Sequence, residues 1–448
     1  MAILTALMPD KLRASFVAEK KVGGQITVRK DVRELTAQEI ENFRSAIAGM
    51  AAISAKSHAD TRGYQYIAGI HGIPLNYCHR YEPAFALWHR PYVQIFEQAM
   101  QDIDPAANVF LPYWNWGEQF EIPQIFLDKT WKNPKTGKTE PNPLLAQPMN
   151  GGKLTKRNPK TAAELKKIAA ELGKARIQTT YDAFNPDLEN PHNSVHTWVR
   201  GDMQSVSTAA YDPLFWAHHC FVEYVFCQWQ DAHRAAVEPT DVSAHDLIPF
   251  GVTVDQIWVY KKLGYVYKPY SPKPLNLAGP VERVPGATDT EDAAMIRRPT
   301  LKSGATVATF DLDKVDPDFN RAEVRFEGLT PPEDSFDVRI FVNAKNPTAK
   351  TKTDGNPQYL GTRTFFGHGE CFGALGHCDP VQRDIFDLRP KHHYDPTTIR
   401  LNVTKSLKAL IASDRTAAAP VSLVVVDPDG KEIPEPGLHF EGLSIVQS

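Results

Sequence analysis

Two sets of histidines carry the chemistry open to this chain. His71, His79 and His89 form the first, and His192, His196, His218 and His219 the second. His192 and His196 stand at i and i+4, which puts both imidazoles on one helix face within reach of a single metal ion. His218 and His219 are neighbours, and successive helical residues point about 100° apart, so only one can readily join that metal. Their surroundings, Asp212-Pro-Leu-Phe-Trp-Ala-His-His-Cys-Phe-Val222, are apolar. A buried imidazole without a partner is costly, and metal ligation accounts for at least one of the two. Donor sets made of imidazole suit copper or zinc rather than magnesium or calcium. Zinc hydrolases usually add a carboxylate, so paired all-imidazole sites favour dinuclear copper and dioxygen chemistry.

Helices must position these rings. Thr36 and Glu39 read as a capping box, and Leu35, Ile40, Phe43, Ile47 and Met50 follow at helical spacing, predicting a helix to about residue 55. Pro83 suits a helix start. Phe85, Trp88, His89, Tyr92, Val93, Phe96 and Met100 then form one broad face of a helix ending near Asp104. Helices are also expected over His192–Val199, over Pro213–Ala232 and, polar and exposed, over Thr161–Leu172. Residues 128–160 read as a surface excursion, and Gln25–Val32 as a short strand.

A proline-rich stretch, Tyr267–Pro285, reads as a linker. Beyond it the period changes to alternation: Thr306–Asp311, Glu323–Glu327, Val338–Val342, Thr398–Val403, Val421–Val426 and His439–Ile445 read as strands of an antiparallel β-sandwich. The expected organisation is a helical domain over residues 1–267, a linker over 268–300 and a β-domain over 301–448.

Composition narrows the partners. At 448 residues, two domains are the prior. A net charge of −3 without a long basic cluster argues against nucleic acid or an anionic membrane surface. No apolar run is long enough to span a bilayer. The N-terminal apolar patch lacks a basic flank and is cut by Pro9 and Asp10, so a cytoplasmic location is expected, or a secreted one if a leader was removed. Of the five cysteines, Cys220 and Cys227 stand two helical turns apart, about 10 Å, too far to bridge. Cys371 and Cys378 flank a glycine-rich loop and could pair, or all five could be reduced.

The combination of motifs resembles the type 3 copper proteins: tyrosinases, catechol oxidases and molluscan haemocyanins. His79, Phe85 and Trp88-His89-Arg90, with Glu97 beyond, resemble the family's first-copper motif. Asp212-Pro213-Leu214-Phe215-Trp216-Ala217-His218-His219 resembles the second. His192-Asn193-Ser194-Val195-His196-Thr197-Trp198 and Leu111–Trp116 match two further elements. Gly264-Tyr265-Val266-Tyr267 is similar to the tyrosine motif that closes the catalytic domain near an N-terminal arginine, here Arg29. The likeness covers roughly residues 25–270. It departs at Glu223, where the family has Asp, at Tyr224 and Ala86, and at Cys78. Many members join a cysteine to the second ligand through a thioether with one residue between, whereas Cys78 and His79 are adjacent.

The resemblance implies a mainly α catalytic domain built around a four-helix bundle holding two copper ions, with dioxygen as co-substrate. His71, His79 and His89 would hold one copper, and His192, His196 and His219 the other, with His218 and Glu223 behind them. The reaction would be polyphenol oxidation of a small phenolic substrate: catechols to ortho-quinones, with ortho-hydroxylation of monophenols if Glu189 and Asn193 hold a water as base. Glu189 could equally be a helix-dipole acid. Val206 would line the entrance, and Thr197 would leave it uncharged. The rival is a haemocyanin-like oxygen carrier, which shares the two-domain layout. Carriers usually come as multi-unit chains, which favours the enzyme. The β-domain is then expected to make the enzyme latent until displaced or cleaved near residues 268–300. The side chain blocking the site would lie in Phe365–Leu375, where Phe366 and Phe372 look exposed. A copper-free relative is set aside because all six ligand positions are filled.

Overall fold

The computed structural model describes residues 26–71, 78, 84–149, 151–233, 236, 246–247, 249–268, 290–292, 301–369 and 396–448. His79, Cys371, Phe372, Cys378 and most of the expected linker lie outside these residues. Two compact units emerge: one comprises residues 1–79, 83–188 and 198–275, the other 80–82, 189–197 and 276–448.

The first unit is helical. Helix α1 (Ala37–Lys56) opens on the expected capping box, with Thr36 accepting from the Glu39 backbone and Glu39 from that of Thr36. Helix α2 (Ala84–Ile103) packs against α1 and is buried on nearly every side from Ala84 to Glu97. Helix α3 (Ala162–Arg176) is amphipathic, and helix α4 (Tyr181–Val199) follows it. The sequence pattern starts α4 only at His192. The helix in fact carries Pro186 and Pro191 inside it, residues that usually mark a boundary because they lack an N–H donor. Helix α5 (Pro213–Ala232) packs against α2 and has the expected bounds. Asp212 caps it by accepting from Leu214 N at 2.9 Å, with Pro213 at the first helical position, where no donor is needed.

The segment 128–160 is not simply a surface excursion. Trp131, Leu144 and Met149 are buried, and Arg157 reaches the capping Asp212 at 2.7 Å. Two more buried ion pairs brace the helices. Arg90 of α2 donates to Glu223 of α5 at 3.0 Å, and Tyr265 OH adds a bond of 2.5 Å to the same oxygen. Arg29 holds Glu97 at 2.8 and 3.0 Å, donates to Tyr267 OH at 2.8 Å and lies 3.7 Å over the Tyr265 ring. Arg29 belongs to strand β1 (Thr27–Arg29), shorter than expected and paired in parallel with β2 (Tyr265–Tyr267).

The second unit combines the Glu189–Thr197 stretch of α4 with two four-stranded sheets. Their strands are β3 (Thr290–Asp292), β4 (Thr306–Phe310), β5 (Ala322–Leu329), β6 (Phe336–Val342), β7 (Tyr359–Phe365), β8 (Thr397–Asn402), β9 (Ala419–Val426) and β10 (Gly442–Gln447). The orders are β7-β6-β9-β4 and β8-β5-β10-β3, all antiparallel. Inward residues of both sheets, among them Val324, Phe326, Val338, Ile340, Leu423 and Leu443, share one apolar cluster. Helix α6 (Thr404–Ser413) packs on β7 and contributes Leu407 and Leu410.

Two strands of these sheets are absent from the sequence reading: β3, which falls inside the expected linker 268–300, and β7. In β7, Gly361, Thr362, Arg363 and Thr364 break the alternation, because Arg363 and Thr364 are both buried. No helix among the described residues is long and apolar enough to cross a membrane.

Candidate metal centre

His89 stands one turn along α2 from Phe85, and its Nδ1 meets the Phe85 carbonyl at 2.8 Å. His71 follows a short helix, Tyr64–Ala68, and its Nδ1 meets the Val206 carbonyl at 2.8 Å. A ring N–H given to a carbonyl places the proton on Nδ1 and leaves the Nε2 lone pair for a metal. Val206 itself is fully buried at the head of a short helix, Val206–Ala209. Its backbone therefore orients a histidine, a contact that no spacing rule in the sequence could reveal. Ligand atoms of His71, Cys78 and His89, all buried, lie within 4.8 Å of one another.

In the second set the Nε2 atoms of His192 and His196 converge to 3.0 Å. The Nδ1 of His192 lies 3.0 Å from Asn193 Oδ1. His192, His196, His218 and His219 each offer a ligand atom within 4.8 Å of the others. His218 and His219 point in different directions, as adjacent helical residues must. The His219 ring stacks on His89 with centroids 4.3 Å apart and lies 4.0 Å from Phe215. His218 turns to Trp114 and Trp116, 6.4 and 5.9 Å away. Burial pushes its pKa down to about 3, so this ring stays neutral across the physiological range.

The donors therefore fit copper. They are buried imidazoles that converge in two groups, joined by the His89–His219 stack, and second ring nitrogens are held by carbonyl or amide oxygens.

Around His192 the polar residues are engaged by β7. Glu189, buried one turn before Asn193, accepts from Arg363 Nη2 at 3.2 Å. Asn193 Nδ2 donates to the Thr364 carbonyl at 3.1 Å. Thr197 is small, neutral and buried. Glu223 serves the Arg90 ion pair described above.

Phe366, read from sequence as exposed, is buried and stacks on His196 with centroids 4.2 Å apart and planes 16° from parallel. The turn after it is pinned. Gly367 N donates to Ser335 Oγ at 2.7 Å, His368 N to the Pro332 carbonyl at 3.1 Å and Gly369 N to that of Glu333 at 2.9 Å. A Cβ at Gly367 would meet the Glu333 carbonyl at 2.3 Å, so only glycine allows this approach.

Comparison with known proteins agrees with this geometry. Residues 61–232 match the family model of the common central domain of tyrosinase. The tyrosinase of Streptomyces glaucescens is 31% identical over 235 residues, which cover 46% of this chain and 84% of that protein. Haemocyanin beta-C chain unit G of Helix pomatia is 31% identical over 229 residues, covering 46% of this chain and 52% of that unit. The chain spans about half, or less, of the length of the haemocyanins it matches. Among solved structures, a recombinantly expressed latent aurone synthase (polyphenol oxidase) superposes with a TM-score of 0.60 at 18% identity, covering 95% of this chain and 90% of that one, a likeness of fold.

Proposed function

The chain belongs to the type 3 copper proteins of the tyrosinase family, and on that premise we propose that it is a polyphenol oxidase held latent by its own C-terminal unit. In this reading His71, His79 and His89 hold one copper, and His192, His196 and His219 the other. Helices α1, α2, α4 and α5 serve as a four-helix bundle around them, and the two sheets, β3 at Thr290–Asp292 included, as a β-sandwich. Bound there, the coppers supply the binding and reduction of dioxygen. Two catechols and one dioxygen then give two ortho-quinones and two waters. One monophenol and one dioxygen give one ortho-quinone and one water.

The chain's own residues do the rest. The carbonyls of Phe85 and Val206 hold His89 and His71 with Nε2 presented to the metal. The observation that carries the enzyme reading is the pair Glu189 and Asn193, at i and i+4 on α4 and both buried beside His192. A reversible carrier has no use for a base. An oxidase of monophenols needs one to take the phenolic proton, and a water held between these side chains would serve. Val206 lines the entrance, and Thr197 adds no charge that would select cationic substrates.

Phe366 supports latency, because its ring occupies the face of His196 that a phenol would need. The same stack favours a second reading, a haemocyanin-like oxygen carrier whose site admits dioxygen but no phenol. One experiment separates the two. The copper-loaded protein is oxygenated, and catechol and monophenol turnover are assayed before and after limited proteolysis. Turnover that appears on cleavage supports the oxidase. The absorption band of the oxygenated dicopper site, reversible and without turnover in either state, supports the carrier.

A further inference from the structure

Beyond blocking by Phe366, we infer that strand β7 selects the substrate class, by taking Glu189 and Asn193 out of use as a base. This rests on the oxidase reading above. Asn190 works as a docking point for the strand: its Nδ2 donates to the Thr362 carbonyl at 3.1 Å, and its Oδ1 accepts from Thr364 N at 2.9 Å. One side-chain amide thus pairs with the strand as a neighbouring strand would. The docking carries Arg363 and Thr364 onto the two residues assigned to proton removal. Arg363 meets Glu189 at 3.2 Å, and the Thr364 carbonyl takes the Asn193 amide at 3.1 Å.

The Arg363 contact is hard to break on its own. Its guanidinium is 2% exposed, and Nε and Nη1 have no hydrogen-bond acceptor among the described residues. Separating it from Glu189 within the protein would leave a buried, uncompensated charge, so the two part only when the strand leaves. Opening the site at Phe366 and releasing the base are therefore two separate events. Catechols, which are readily oxidised without a dedicated base, need only the first. Monophenols, which must lose a proton before hydroxylation, need both.

The test compares F366A, F366A/R363M and F366A/N190A with the full-length, copper-loaded protein. F366A alone turns over catechol while monophenol turnover stays low. Adding R363M or N190A raises the ratio of monophenol to catechol turnover by about tenfold, a modest share of what general-base catalysis supplies. An unchanged ratio overturns the inference and leaves the oxidase reading standing. Absence of catechol turnover in F366A and in the proteolysed protein, with the oxygenated band intact, overturns both. A second readout needs no metal. In the copper-free protein, hydrogen exchange over residues 359–366 speeds up in R363M and N190A, and equal exchange in all forms overturns the docking.

Discussion

The Phe366 ring lies nearly parallel to the His196 imidazole, 4.2 Å away between centroids. That contact joins the turn after β7 to one of the two histidines whose Nε2 atoms converge on α4. Replacing Phe366 by Ala removes the stacked ring and leaves the pinned turn in place. Catechol turnover of the intact protein is expected to rise by about tenfold or more, equivalent to removing about 1.4 kcal/mol of competition for the site. Steady-state assays before and after proteolysis check it. Equal gains from cleavage in the variant and the parent would show that Phe366 is not the obstruction.

His219 and His218 should differ in copper stoichiometry. His219 stacks on His89, whereas His218 faces Trp114 and Trp116. His219→Ala is expected to bind one copper fewer per chain, and His218→Asn to keep both. Elemental analysis after dialysis reads this directly.

The Arg90–Glu223 pair is fully buried and braces α2 against α5. Arg90→Met leaves Glu223 without its cation, and breaking such a pair costs roughly 3–5 kcal/mol. Calorimetry should show a Tm lower by several degrees for the helical unit, and copper retention should weaken because α2 carries His89. An unchanged Tm would remove this pair from the account of stability.

Glu323 offers a pH test on the sheets. Burial alone would raise its pKa, but Arg321 and Arg400, with Arg325, outweigh that and hold it below the usual carboxylate range. A lowered native pKa means stabilisation that is present above the unfolded value, about 4.3, and is lost as pH falls through the native value. Glu323→Gln should therefore unfold earlier than the parent at pH 7, with the gap closing under acid. Denaturant titrations at neutral and acid pH, followed by far-ultraviolet circular dichroism, measure it. A gap that persisted in acid would point to packing rather than charge.

Burial pushes the Cys220 thiol up to about 12, and raises that of Cys227 well above its usual value. Both are free and buried. Alkylation at pH 8 should leave them unmodified in the native protein and label them once it is unfolded, as peptide mass spectrometry would show.

Much of the metal centre was legible in the residues themselves. The i, i+4 pair His192 and His196 needed only helical geometry to converge. The Asp212-Pro213 start of α5 and the capping box of α1 are local signals, and each helix begins where its capping chemistry says. Local signals also misled: the pattern starts a helix at His192, just after Pro191, yet α4 runs through that proline from Tyr181.

Burial and long-range approach were not legible. The alternation in the C-terminal region reveals a strand only where one face is apolar, and β7 carries a buried arginine, so the pattern assigns no strand there. Phe366 looked exposed because its loop is rich in glycine, yet Gly367 is what lets that turn approach residues 333–335. Sequence alone determined which side chains could bind metal, because donor type and helical spacing are local properties. Only the tertiary structure decided what packs against them. The contacts of Arg363 with Glu189, Thr364 with Asn193 and Phe366 with His196 join positions about 170 residues apart, and no period in the chain relates them.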